Sequence, residues 1–256
     1  VIYRINEGVF LMKPEILSLD VGGFHNSNEN SIKRLKHDGS YKDLSTIIIT
    51  PGFGMIPTKA VASWINMMTP PNGKVVRLWP LNMEVGCAFS QCIEGILEHP
   101  ELSKFKFIMT IEHDNTIPSD ALLKLLARIE EHPEYSVISG LYFTKGPGGV
   151  PQIWGNASDP IPNYRPQLPR EGELVESCGT GMGCALFRLD MFKDERLRRP
   201  WFKTTASVEE GCSTQDLYFA SDYRKFGYRC GVDCSIKSGH IDLTGEFSEG
   251  EKYTVW

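Results

Sequence analysis

The chain has no pair of cysteines two residues apart, no low-complexity tract and no repeat of fixed period. Its longest apolar runs, Thr46 to Thr50 and Phe105 to Ile111, fall far short of the roughly 20 residues of a membrane-crossing helix, so no span is expected. A surplus of positive charge is also missing: 27 basic residues face 32 acidic ones, a formal net charge of −5. Bulk attraction to nucleic acid or to an anionic membrane is therefore not expected, and any bound phosphate must be met by local groups. The start, Val1-Ile2-Tyr3-Arg4, lacks the basic-then-apolar pattern of a secretory leader, and none is expected. Seven cysteines, an odd number, do not signal a disulfide framework; they read as reduced thiols of a cytoplasmic protein. A zinc site from Cys230, Cys234 and His240, with Cys212, is the alternative, because C-x3-C-x5-H is loosely metal-like. Against it, Cys230 and Cys234 fall in an expected strand, where a four-residue step puts both on one core-facing side.

What is present is an ordinary globular composition, 41% hydrophobic and 23% charged over 256 residues. At that length folding buries about three quarters of the surface, so the core needs no disulfide or metal staple. Residues 1–43 read as an N-terminal arm, with a strand or two before Ile16 and then the turn Gly22-Gly23 and a polar loop from His25 to Asp43. From Leu44 the pattern changes. The β-branched run Thr46 to Ile49 predicts a buried strand stopping at Thr50-Pro51-Gly52, and a helix follows over about 57–67. A second strand is expected over 74–79, a helix over 84–99 and a third strand over 104–111 that runs into Glu112-His113-Asp114-Asn115. Leu122, Leu125, Leu126 and Ile129 repeat at helical spacing, and Tyr135 to Tyr142 predicts a fourth strand. The region 146–169, with six prolines and Trp154, reads as loop. Strands alternating with helices predict a mostly parallel, doubly wound α/β sheet, whose ligands sit beyond the carboxyl ends of the strands.

Two such ends carry chemistry. Glu112 and Asp114 lie two apart at the end of a strand, and in extended backbone both carboxylates face one way. Hard cations such as Mg2+ take carboxylate and phosphate oxygens, so the pair suits metal-bridged handling of a diphosphate. The plainer reading, Asp114 as a cap or turn residue, stays open beside it. Thr50-Pro51-Gly52 is the other end. The run from Cys178 to Arg188 places Gly179, Gly181 and Gly183 before a strand, which argues against a dinucleotide loop and for close approach of a substrate to the backbone. Asp216 falls in the first turn of a helix starting near Ser213, where the dipole favours a carboxylate whether structural or catalytic. His240, after an expected strand over 232–237, reads equally as a metal ligand or a satisfied loop histidine. Trp154 and Trp201 offer apolar faces for a sugar ring, although such aromatics also build cores.

The order of these pieces, from about Leu44 to Ile241, resembles the GT-A-fold nucleotide-sugar glycosyltransferases, above all the family-2-like group with bacterial and phage members. Glu112-His113-Asp114 resembles the family's DxD motif with Glu in place of the first Asp. Cys178 to Arg188 and Pro200-Trp201-Phe202 are similar to its acceptor side, and Gln215-Asp216 to its "ED" helix start with Gln where Glu is common. Gly239-His240-Ile241 resembles the closing strand whose histidine completes the metal site. The Arg-Asn pair common after the second strand is absent; the region reads Val85 to Gln91 without it.

The resemblance implies a Rossmann-like GT-A sheet flanked by helices, one domain over 44–256 after the arm, and transfer of a sugar from a UDP- or GDP-sugar to a carbohydrate or other hydroxyl. It implies Mn2+ or Mg2+ held by Asp114, Glu112 and His240, and Asp216 as the general base of an inverting reaction. Thr50, Pro51, Gly52, Arg77, Glu112, His113 and Asp114 become donor-binding, and Gly179, Thr180, Gly181 and Trp201 acceptor-binding. Two rivals remain. A metal-dependent nucleotidyltransferase should carry a basic glycine-rich loop after its first strand, yet 50–58 holds two glycines and no arginine. A non-catalytic nucleotide-sugar or carbohydrate-binding module would keep the fold and lose the metal site.

Overall fold

A computed structural model of the chain describes residues 15–20, 33, 36–37, 42–71, 73–146, 148–159, 163–207, 211–242 and 253–254. In order these form β1 (Glu15–Asp20), β2 (Thr46–Ile49), α1 (Thr58–Ile65), β3 (Val75–Leu81), α2 (Val85–Glu98), β4 (Phe107–Thr110), β5 (Asn115–Thr116), α3 (Ala121–Glu131) and β6 (Tyr135–Leu141). There follow β7 (Ile153–Trp154), β8 (Leu174–Ser177), β9 (Gly179–Thr180), β10 (Ala185–Arg188), β11 (Thr205–Ser207), β12 (Gly211–Ser213), α4 (Gln215–Tyr223), β13 (Arg229–Lys237), β14 (Gly239–Ile241) and β15 (Tyr253–Thr254). Of the expected arm, β1 lies among the described residues and pairs antiparallel with β3. The turn at Gly22-Gly23 lies outside them, and residues 33 and 36–37, read from sequence as loop, are helical.

Eight strands make the main sheet in the order β1-β3-β2-β4-β10-β6-β13-β8. β2, β3, β4, β6 and β13 run one way, while β1, β8 and β10 run against them, so the sheet is mixed. β10, the glycine-preceded strand, is inserted antiparallel between β4 and β6. The unbroken apolar runs have a simple cause: both faces of the sheet are covered, so alternate side chains enter opposite cores. Ile47 and Ile49 join Phe89, Ile93, Phe187 and Phe219 under α2 and α4. Ile48 and Met109 join Trp64, Leu122, Leu125 and Ile129 under α1 and α3. The predicted stripe on α3 is thus its core face.

The six described cysteines outside β12 are free thiols. Burial pushes Cys92 up to about 12, and Cys184 and Cys230 up to about 11, so these thiols stay protonated near neutral pH. Cys230 and Cys234 are buried on β13, and no group of three His, Cys, Asp or Glu side chains among the described residues converges to hold a metal. The zinc reading is therefore not supported.

Candidate donor site

A cavity of about 430 Å3 opens at the carboxyl ends of the like-directed strands. Pro51, Gly52 and Phe53 follow β2, Met83 and Val85 follow β3, and Glu112, His113 and Asp114 follow β4. Thr144 and Lys145 follow β6, and Gln152 and His240 complete the wall.

Asp114 and His240 meet because a short ladder joins their elements. β14 pairs antiparallel with β5, setting His240 opposite Asn115, and the Ile241 N–H donates to the Asp114 carbonyl at 2.7 Å. The Asn115 amide donates to the Gly239 carbonyl at 3.0 Å. Below it, the Trp64 indole donates to the Asn115 carbonyl at 2.9 Å. His240 Nδ1 lies 2.8 Å from the Phe143 carbonyl, an acceptor only, so Nδ1 carries a proton and Nε2 faces Asp114 Oδ1 at 3.7 Å. Asp114 is 4% exposed, and its other oxygen accepts a hydrogen bond from the Lys145 ammonium.

These contacts set the charges. Burial alone would raise the Asp114 carboxyl, but the nearby His240 imidazole and the hydrogen-bonded Lys145 ammonium outweigh it and hold the group well below the usual carboxylate range. Burial also works against a charged His240, and the facing Asp114 carboxylate and the bond to the Phe143 carbonyl overcome that and raise its pKa. Glu112 moves the other way: burial first, then the charges of Asp114 and Asp216, push it up to about 7. Asp216 is raised by burial against bonds from Thr214 and its neighbouring backbone, including Leu217 N–H at 2.9 Å. Asp216 does not line the cavity, yet its charge is felt at Glu112 and at Tyr142.

The predicted residues thus divide. Pro51, Gly52, Glu112, His113, Asp114 and His240 share the cavity wall. Thr50 is buried behind it, its N–H bonded to the Leu78 carbonyl. Arg77 is buried on the α1 face of the sheet, where its guanidinium donates to the Trp64 carbonyl at 3.2 Å. It does not line this cavity.

The glycine run is explained by this protein's own side chains. A Cβ on Gly181 would stand 2.0 Å from the Tyr142 hydroxyl, and one on Gly183 2.5 Å from the Asn115 amide oxygen. On Gly179 it would meet Ala220 at 2.9 Å. Thr180 is buried, with its hydroxyl 2.5 Å from that of Ser139. Trp201 is 1% exposed, edge-on to Phe192 with the Arg199 guanidinium over its ring. Gly179, Thr180, Gly181, Gly183 and Trp201 are all buried. Trp154 is half-buried and donates from its indole to Gln152 on the cavity wall at 2.6 Å. Sequence reasoning missed Phe53, Met83, Val85, Thr144, Gln152 and above all Lys145. The one signal for Lys145 was its place just past the end of the strand predicted over 135–142.

No family model and no curated protein matches the sequence. Among solved structures, the chain is similar to A197 from STIV at 18% identity and a TM-score of 0.55, over 82% of this chain and 93% of that one. It is similar to GalNAc-T7, solved with UDP, GalNAc and Mn2+, at 14% identity and a TM-score of 0.52, over 95% of this chain and 55% of that one. S. aureus TarS 1–349 with UDP-GlcNAc gives 13% identity and a TM-score of 0.42, over 82% and 57%. The chain thus spans little more than half the length of the last two. With its helix-flanked mixed sheet and its cavity at the strand ends, the chain has the GT-A fold.

Proposed function

We propose that the chain is a glycosyltransferase that moves a sugar from a nucleoside-diphosphate donor to an acceptor hydroxyl. The observation that carries this reading is the meeting of Asp114 and His240 in a cavity that also takes the ends of β2 and β4. Such strand-end crevices are where doubly wound sheets hold nucleotides. The nucleoside would lie against Pro51, Gly52 and Phe53, and the diphosphate would reach Asp114, Lys145 and His240.

Among the described residues Asp114, Glu112 and His240 do not converge as the three-ligand set that the resemblance implied, so a divalent cation would rest on Asp114 and His240 alone. Asp114 and His240 offer one carboxylate and one imidazole, and Mg2+ or Mn2+ commonly completes its shell with substrate phosphates and water. Bound there, the ion would supply charge neutralisation on the departing diphosphate. Glu112, on the same cavity wall, would hydrogen-bond to donor or acceptor.

Asp216 is the proposed base. Burial lifts its pKa above that of an ordinary aspartate, which strengthens its carboxylate as a proton acceptor. It would take the proton from the acceptor hydroxyl as the sugar transfers. A cytoplasmic setting with reduced thiols belongs to the same proposal.

The test is release of free nucleotide from a panel of UDP- and GDP-sugars with and without Mn2+. UDP-sugars come first, because GalNAc-T7, of the same fold, is seen with UDP and Mn2+. Metal-dependent release is expected. Silence across the panel together with no donor binding by calorimetry would sink the proposal.

A further inference from the structure

Lys145 sits near the tip of a hairpin closed by a bridge between Phe143 and Pro151. Thr144 N–H donates to the Val150 carbonyl, and Val150 N–H to the Thr144 hydroxyl, both at 2.9 Å. Gly146 and Gly148 turn the tip with φ of 87° and 72°, values that side-chain-bearing residues seldom adopt. The hairpin is thus pinned at its base and turned at its tip, with the ammonium inside the donor cavity. Lys145 is one-third exposed, so a ligand entering that cavity can reach it.

The cavity holds two carboxyl groups, Glu112 and Asp114, with Asp216 close behind. A diphosphate brings further negative charge, so a cation on the wall that can turn from carboxylate to phosphate has a clear use. Asp114 has two oxygens: Lys145 occupies one and His240 faces the other. An incoming divalent ion and Lys145 therefore compete for the same carboxylate.

We propose that Lys145 is a diphosphate-binding residue which Asp114 stores in the free protein. Arrival of metal and nucleotide releases it from Asp114, and its ammonium then donates to a phosphate oxygen. The inference rests on the donor-site reading above. It makes two predictions of opposite sign for Lys145→Met, read by calorimetry with Mn2+ alone and then with UDP in saturating Mn2+.

With its competitor gone, Asp114 should bind Mn2+ about tenfold more tightly, while loss of one charge-assisted hydrogen bond should weaken UDP about tenfold. Lys145→Arg, which keeps the charge, should recover most of the UDP affinity. A salt bridge that served only the fold would weaken both ligands together when broken. Weakening of both, or no change in either, would overturn the role of Lys145 alone. If the unaltered protein binds no UDP in the presence of Mn2+, the donor-site reading falls and this inference with it.

Discussion

In the proposed reaction Asp114 and Asp216 have different tasks. Asp114 is held ionised by the cations around it, whereas burial raises Asp216 and leaves its carboxylate the better base. Asp114→Ala should therefore abolish metal-dependent UDP binding and turnover together. Asp216→Asn should leave the UDP dissociation constant unchanged and lower kcat by about 100-fold or more, the usual contribution of a positioned base. Equal loss of binding in the second variant would remove Asp216 from that role. Trp201 belongs to another class of residue. Its ring packs on Phe192 under Arg199, so Trp201→Ala should cost about 3–5 kcal/mol of stability, measured by denaturant unfolding. Trp201→Phe, which keeps much of the volume, should leave acceptor KM unaltered.

Among the elements, α2 shows how a helix start is tied to the cavity rim. Glu84 caps it, accepting from Cys87 N–H at 2.9 Å, and also accepts from the Thr204 hydroxyl at 2.9 Å. Burial opposes the charge of Glu84, but these bonds prevail and lower its pKa. A carboxyl lowered on folding stabilises above its unfolded pKa, about 4.3, and loses that effect as pH falls through the folded value. Glu84→Ala should cost about 1 kcal/mol at pH 7. The gap in melting temperature between variant and parent should close as the pH is lowered below about 4. Helices and strands with strong local patterns were legible in the sequence: the i, i+3, i+4, i+7 stripe of Leu122 to Ile129 is the buried face of α3, and β2 and β4 end where Thr50 and Glu112 predicted. The direction of β10 was not, because antiparallel insertion is decided by partners distant in sequence. Nor was the work of Gly181 and Gly183, since a glycine looks the same whether a ligand or Tyr142 and Asn115 fill the space above it. The partner of Lys145 was hidden for the same reason: a lysine's partner is fixed by the fold, and here it lies 31 residues away.

Across the molecule, one sheet with two covered faces supplies the rigidity, and the chemistry is gathered at one edge of it. Two of its strand ends, those of β2 and β4, are neighbours in register, Ile49 beside Thr110. Their placement follows directly from core packing. The histidine side is different. The pairing of β5 with β14 joins Asn115 to Gly239 across 124 residues of chain. Closing so long a loop costs entropy before any contact returns it, so pairings of this kind tend to form late in folding. The order of assembly follows. Most of the sheet can form while Asp114 still lacks His240, and the proposed binding of metal and nucleotide should appear in refolding after the bulk of the secondary structure. Ligand capture thereby becomes a clock for the last step of folding.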